Sequence, residues 1–266
     1  MKRNIVRIIF LLIAIGCFGY VGWYYYDLKR TESDVSALSS RVGMGTIAPG
    51  GLPVVESEPV SAEEEGEPRV LYVLSDFEPL LDKNQNIIGW ITIDGTKINY
   101  PVMQSVNGNS NYYIDHNFDQ QQDKNGSLFM DDRCSVIKPS VNLIIYGHHM
   151  RSGAMFGDLD KYKSESYFQQ HPYIRFNSIY ETGTWQVLAA FESQVYTDTD
   201  IGFRYYDFID PENEKEFMAG VNNMKALSMY DTGVTAQWGD RLITLSTCDY
   251  EQDNGRFVVV AKLVGE

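Results

Sequence analysis

The chain has 266 residues, of which 44% are hydrophobic and 13% aromatic, so it can bury a core and is not a disordered protein. Its formal net charge of −14 would repel phosphate backbones, which argues against nucleic acid as a partner. Three cysteines, an odd number, indicate no disulfide framework, and the four histidines lack the spacing of a structural zinc site. We therefore expect no metal and no cofactor.

The first 30 residues have the pattern of a membrane anchor. Lys2, Arg3 and Arg7 precede an uncharged run from Ile8 to Tyr26. A helix of that length rises about 29 Å, close to the roughly 30 Å of hydrocarbon in a bilayer. A cleaved signal peptide is the alternative, but the run is long and no small-x-small cleavage site closes it. We expect residues 1–30 to form a transmembrane helix with a cytoplasmic N-terminus and the rest of the chain outside the cell.

Residues 31–69 have a different composition, dominated by small, polar, acidic, glycine and proline residues. Like charges at this density repel one another and extend a chain that has too little apolar material to fold alone. The segment is predicted to be a flexible stalk, with an acidic functional tail as the alternative. Its glutamates cluster at Glu56, Glu58, Glu63, Glu64, Glu65 and Glu67.

From residue 70 to residue 266, strand-like segments recur at short intervals and predict a mainly β domain. Asp94-Gly95 gives a hairpin-type signal between two of them. The strands do not alternate with helices, which disfavours a parallel α/β sheet. One helix is predicted from about Pro211 to Met229, with Asp210 as its candidate cap. The strand candidates are Ile88–Ile93, Lys97–Met103, Val141–Tyr146, Tyr173–Phe176, Thr184–Val195, Arg241–Leu245 and Phe257–Leu263.

Two of these predicted strands end in side chains that suit acyl transfer. One ends in Cys248, and Arg256 opens the strand that follows, so a hairpin would bring thiol and guanidinium to one edge. A guanidinium favours the thiolate and can hold a developing oxyanion. Another strand ends in His148, whose imidazole can both donate and accept a proton near neutral pH. Each residue alone is more often a buried thiol, a surface histidine or a solvated charge, but their combination is more specific.

The motifs around these three residues resemble one family closely. Tyr146-Gly147-His148, the run Thr244 to Cys248 and Arg256 resemble the signature motifs of sortases, the cysteine transpeptidases that attach surface proteins to the Gram-positive cell wall. The resemblance covers roughly Leu80 to Val264. Further segments resemble class B sortases in particular, namely residues 86–91, 96–102, 126–131 and 155–159.

The resemblance implies a closed, eight-stranded sortase-type β-barrel with added helices. It also implies that Cys248 attacks the carbonyl after the threonine of a C-terminal sorting motif to form a thioacyl enzyme. His148 would transfer protons, and Arg256 would hold the substrate or the oxyanion. Ser246 matches a position that lines the substrate groove. The partners implied are surface proteins with a sorting motif and an amine acceptor on a peptidoglycan precursor or a pilin.

For three residues near these motifs, the sequence does not predict a catalytic role. His149 is expected to be a spectator because consecutive residues in an extended chain point opposite ways. Cys134 matches no motif and is expected to be a structural thiol. Asp249 could contact the substrate or raise the pKa of the thiol, and the sequence leaves its role open.

Two rival functions are less well supported by the residues. An L,D-transpeptidase would carry a Ser-x-Gly-Cys run, which does not surround Cys248. A membrane-tethered binding module on an inactive barrel would have no need of a reactive thiol. The presence of cysteine, histidine and arginine together argues against it.

Overall fold

The computed structural model describes residues 2–40, 49–55, 70–105, 108–197, 200–249 and 254–265. The chain divides into two compact units, Met1–Arg41 and Val42–Glu266. The first unit consists of one helix, α1 (Lys2–Ser39). This helix continues past the expected end of the anchor at residue 30, since residues 31–39 contain no glycine or proline to stop it. Within the described ranges, no helix combines the length and the apolar character needed to cross a membrane.

The second unit begins with a small antiparallel pair of strands, β1 (Pro49–Val55) and β2 (Val70–Leu74). β1 falls inside the segment predicted to be a stalk. Its end, Pro-Val-Val, is apolar enough to pair with the equally apolar β2. The glutamate-rich part of that segment, residues 56–69, lies outside the described residues.

Eight further strands form one sheet that closes on itself, which confirms the prediction of a mainly β fold. Their order is β10-β8-β7-β3-β4-β5-β6-β9, and β9 pairs back onto β10. Most neighbours are antiparallel, whereas the pairs β4–β5 and β6–β9 are parallel. The strands are β3 (Ile87–Thr92), β4 (Asn99–Met103), β5 (Leu128–Met130), β6 (Asn142–Gly147), β7 (Tyr173–Ser178), β8 (Thr184–Gln194), β9 (Leu242–Asp249) and β10 (Gly255–Gly265).

Short helical elements connect the strands, and one longer helix packs on the outside of the ring. The longer helix, α4 (Glu214–Leu227), buries an apolar face against β8 and its neighbours. That face consists of Phe217, Gly220, Val221 and Met224. The other α-helices are α2 (Glu78–Leu81) and α3 (Glu165–Gln170). Single turns of 3-10 helix lie at Ser75–Phe77, Tyr112–Ile114 and Tyr205–Asp207, and a longer one at Gly157–Lys163.

The start of α4 differs from the sequence prediction, which used Asp210 as the cap. The N-cap is Asn213, whose side chain accepts a hydrogen bond from the Glu216 amide at 3.1 Å. The Asp210 carboxylate instead accepts hydrogen bonds from the Val141 amide at 2.7 Å and the Ser140 hydroxyl at 2.9 Å. Asp210 therefore holds Ser140 and Val141, the two residues just before β6, and α4 begins further along the chain, after Asn213.

Asn142, the first residue of β6, is fully buried and links two other elements. Its Nδ2 donates to the Phe208 carbonyl at 2.7 Å, and its Oδ1 accepts from the Thr244 hydroxyl at 2.8 Å. Asn142→Ala would leave both partners unpaired in the core, so we expect the free energy of unfolding to fall by about 2–4 kcal/mol in urea titrations. Thr244→Val, which removes one of the two bonds, should cost about half as much. An unchanged urea midpoint for Asn142→Ala would contradict this account.

Candidate active site

The pairing of three neighbouring strands brings the predicted catalytic residues to one end of the ring. In the antiparallel pair β9–β10, Cys248 lies directly opposite Arg256. In the parallel pair β6–β9, Gly147 lies opposite Thr247, and His148 is the next residue after β6 ends. Cys248, His148 and Arg256 therefore share one edge of the sheet, although they come from distant parts of the sequence.

A pocket of about 290 Å³ lies at this edge. Thr247, which precedes Cys248, and Arg256, which pairs with it, both line the pocket, as do His148 and Ser246. The remaining walls are mostly aromatic and aliphatic, which suits contact with apolar groups of a ligand. These walls consist of Asn111, Ile114, Phe129, Tyr146, Gly147, Val195, Tyr205 and Tyr206.

His148 is partly buried and is held by one backbone contact. Its Nε2 lies 2.6 Å from the carbonyl oxygen of Ile114, which can only accept a hydrogen bond. Nε2 must therefore carry the proton of the neutral ring, and Nδ1 remains the nitrogen that can take up or release a second proton. The carbonyl of Ile114 thus fixes both the tautomer and the orientation of the imidazole.

Arg256 presents a positive charge at the same pocket. Its Nη1 donates to the carbonyls of Gly255 at 2.8 Å and Asn254 at 3.4 Å. Among the carboxylates whose side chains the structure describes, none forms an ion pair with this guanidinium. The charge is therefore available to favour a nearby thiolate or to stabilise an oxyanion.

Ser246 lines the pocket, at the place where the resemblance puts a groove residue. Only 1% of its surface is exposed, and its Oγ lies 2.7 Å from the hydroxyl of Tyr205. This bond connects β9 to the 3-10 turn Tyr205–Asp207, which also contributes Tyr206 to the pocket. Sequence reasoning missed both tyrosines, because a single aromatic turn between two strands carries no motif.

The two residues that the sequence analysis set apart from the chemistry do not line this pocket. The Nε2 atom of His149 lies 2.6 Å from Oδ2 of Asp160, in the 3-10 helix that follows. Cys134 is buried, and burial raises the pKa of its thiol to about 12, although a hydrogen bond from the Ile144 amide acts in the opposite direction. Its thiol is therefore protonated at neutral pH and poorly nucleophilic.

Within the described part of the chain, no group of histidine, cysteine, aspartate or glutamate side chains could hold a metal ion. Two groups that can act chemically line the pocket, the imidazole of His148 and the guanidinium of Arg256, and the strand register places Cys248 at the same edge of the sheet. Together they suit nucleophilic attack on a carbonyl, followed by proton transfer to a departing amine.

Comparison with known proteins agrees with this chemistry. The family model described as "Sortase domain" matches residues 91–264. The chain is 34% identical to sortase B of Staphylococcus aureus, over 99% of this chain and 98% of that protein. It is 32% identical to sortase B of Listeria monocytogenes, over 95% of this chain and 94% of that protein.

Solved structures give the same result. The crystal structure of sortase B from Bacillus anthracis in complex with AAEK1 matches with a TM-score of 0.70 and 29% identity, covering 91% of this chain and all of that one. The S. aureus sortase B–substrate complex matches with a TM-score of 0.65 and 32% identity, covering 72% and 86%. The chain therefore belongs to the sortase family of cysteine transpeptidases. Within that family it is of the sortase B type, which confirms the class indicated by the sequence motifs.

Proposed function

We propose that this sortase cleaves a C-terminal sorting motif after its threonine, retains the acyl group on Cys248 and transfers it to an amine. The observation that carries the proposal is the strand register. Cys248 lies opposite Arg256, and Cys248 and His148 each follow directly after the paired residues Thr247 and Gly147. The pocket of about 290 Å³ lies at this same edge. A protein that only bound peptides would not need a cysteine, a histidine and an arginine at the same edge of the sheet.

The proposed reaction proceeds in two halves. The Cys248 thiolate attacks the threonine carbonyl, and Arg256 stabilises the oxyanion that forms. The C–N bond then breaks, the leaving amine takes a proton from Nδ1 of His148, and a thioacyl enzyme remains. In the second half, an incoming amine gives a proton to the same nitrogen and attacks the thioester. A new amide forms and the thiolate leaves.

Relatives guide the choice of substrates. One solved S. aureus sortase B is a complex with substrate, and another sortase B is complexed with triglycine. We propose that this enzyme joins surface proteins bearing a sorting motif to an amine on a peptidoglycan precursor or a pilin. The net charge of −14 favours the approach of a cationic amine over an anionic partner.

A peptide library tests the proposal directly. Purified full-length protein in detergent is incubated with peptides of randomised sequence around a fixed threonine, and its cysteine-containing fragments are examined by mass spectrometry. We expect an acyl adduct that ends in threonine on the fragment with Cys248, which disappears when amines are added. A membrane-tethered binding module on an inactive barrel is the alternative function. Retention of peptides without any adduct or cleavage would favour that alternative.

We also propose that α1 anchors the enzyme in the cell membrane of a Gram-positive bacterium, with the N-terminus in the cytoplasm and the catalytic domain outside. Support comes from the charge-free run Ile8–Tyr26 and from apolar side chains along it that are more than half exposed. These include Phe10, Leu11, Leu12, Ile13, Ile15 and Phe18. In cell fractionation, the full chain should stay with the membrane after carbonate washing. Its release by carbonate would contradict the anchor.

A further inference from the structure

Arg133 lies in the turn after β5, next to the pocket but outside its lining. Its guanidinium grips the carboxylate of Asp131 with two hydrogen bonds, from Nε to Oδ1 and from Nη2 to Oδ2, both 2.9 Å long. The backbone amide of Arg133 donates to Oδ1 as well, at 3.0 Å. Asp131 is buried whereas Arg133 is half exposed, so a buried charge is neutralised by a side chain that reaches towards the surface.

The same guanidinium also contacts a segment 73 positions further along the chain. Its Nη2 donates to the carbonyl of Tyr206 at 2.7 Å, and its Nη1 donates to Oδ1 of Asp207 at 3.2 Å. These two acceptors belong to the 3-10 turn that carries Tyr205 and Tyr206 into the pocket wall. Arg133 thus holds this turn from outside the pocket.

Asp131 connects the arginine to another residue of the pocket wall, Tyr146. Its Oδ2 accepts a hydrogen bond from the hydroxyl of Tyr146 at 3.0 Å. Tyr146 lies in β6, two residues before His148, and its side chain lines the pocket. A chain of contacts therefore runs from the strand that precedes His148, through Asp131 and Arg133, to the turn Tyr205–Asp207.

Asp131 and Arg133 are both ionised at neutral pH. Burial acts to raise the pKa of the Asp131 carboxyl, but hydrogen bonds and charge from Arg133 and a hydrogen bond from Tyr146 outweigh it, so this pKa is lowered. The hydrogen bond to Asp131 raises the pKa of Arg133. Two-point hydrogen bonds between charged groups are stronger and more directional than neutral ones, so this contact can fix a distance.

We propose that Arg133 is a positioning residue, which sets the spacing between the Tyr146 wall and the Tyr205–Tyr206 wall and so determines how tightly the donor peptide binds. This inference rests on the proposed function, because it assumes that the pocket takes that peptide. Arg133 does not line this pocket, and its described hydrogen bonds go to Asp131, Tyr206 and Asp207 and not to β9, so its loss should weaken binding of the peptide in the ground state and transition state alike.

Two substitutions and one matched control isolate this role. Arg133→Gln removes both the charge and the two-point contact with Asp131. Arg133→Lys keeps the charge but cannot make the two-point contact. The control is Arg175→Gln, since Arg175 also pairs with an aspartate, Asp94, but lines neither this pocket nor the adjacent pocket that Arg133 lines. All three are made in the full-length chain.

Steady-state cleavage of an internally quenched peptide, chosen with the wild-type enzyme from the library above, gives the first measurement. We expect KM to rise about tenfold in Arg133→Gln and about threefold in Arg133→Lys, with kcat within about twofold of wild type in both. Arg175→Gln should match wild type. A merely structural role would lower the amount of folded enzyme, which reduces kcat and leaves KM unchanged. That result, or an unchanged KM in Arg133→Lys, would overturn the proposal. If Arg133→Gln does not fold, the KM of Arg133→Lys is the test of the proposal.

Hydrogen exchange separates this inference from the proposed function, because it needs no substrate. The amides of Asp207 and Phe208 are bonded to the carbonyls of Arg204 and Tyr205, and their exchange reports opening of the turn. We expect exchange about tenfold faster in Arg133→Gln and about threefold faster in Arg133→Lys than in Arg175→Gln. Equal exchange in all three would overturn the positioning role even if the peptide is cleaved. Faster exchange in a protein that cleaves no peptide would contradict the proposed function alone.

Discussion

Cys248→Ala is expected to lower the rate of peptide cleavage by at least about 10³-fold and to abolish the acyl adduct. Alanine has no atom that can attack a carbonyl, and its volume is close enough to that of cysteine for β9 to keep its pairing with β10. Thermal unfolding should therefore be nearly unchanged. Turnover at the wild-type rate in this variant would exclude Cys248 as the nucleophile.

Cys134→Ala provides the matched control for the loss of a thiol. Cys134 is buried, its pKa is raised to about 12, and its sulfur makes contacts of 3.5 Å with the backbone of Asn142 and Ile144. We expect turnover within about twofold of wild type and a loss of about 1 kcal/mol in unfolding free energy, from the removed sulfur. A parallel loss of turnover in this variant would show that the effect of Cys248→Ala is not specific to the active site.

His148→Ala is expected to reduce turnover by about 10²–10⁴-fold, because the departing amine would leave without a proton donor. The effect should fall mainly on kcat, since the imidazole acts on the reacting atoms and contributes little to peptide binding. Single-turnover assays with quenched peptide measure acylation directly. A rise in KM with normal kcat would instead assign His148 to binding.

The adjacent histidine supplies a control at nearly the same place. His149 contacts Asp160 through Nε2, and His149→Gln keeps an amide that can donate to the same carboxylate. Turnover in this variant should stay within about threefold of wild type. If His149→Gln lost as much activity as His148→Ala, the assignment of the proton-transferring residue to His148 would be wrong.

Much of the ring could be predicted from the sequence, because seven of its strands are apolar runs bounded by turn residues. Asp94-Gly95 indicated the hairpin between β3 and β4, where Gly95 has a φ of +76°, as a tight turn requires. The strand β5 was missed as a strand, since its three residues are too few for a periodic pattern. Its pairing depends on a parallel contact with β4 that local sequence cannot indicate.

In the candidate active site too, some residues could be predicted from the sequence and others could not. Cys248, His148 and Arg256 could be predicted as catalytic residues because each stands at the end of a recognisable strand and has reactive chemistry. Tyr205, Tyr206 and Arg133 could not be found from sequence, since their partners are distant and their side chains are chemically ordinary. The bond between Tyr205 and Ser246 spans 41 positions, and that between Arg133 and Tyr206 spans 73.

The closure of the ring also has a consequence for how the enzyme is made. β10 is the last strand of the ring, and it pairs on one side with β8 and on the other with β9. Because a protein is synthesised from its N-terminus to its C-terminus, Cys248 is made before Arg256. The sheet stays open until β10 pairs with its neighbours. An unfinished chain therefore has a thiol without its opposing cation and without a complete peptide-binding edge. We therefore expect transpeptidase activity to appear only after β10 has paired with both of its neighbours.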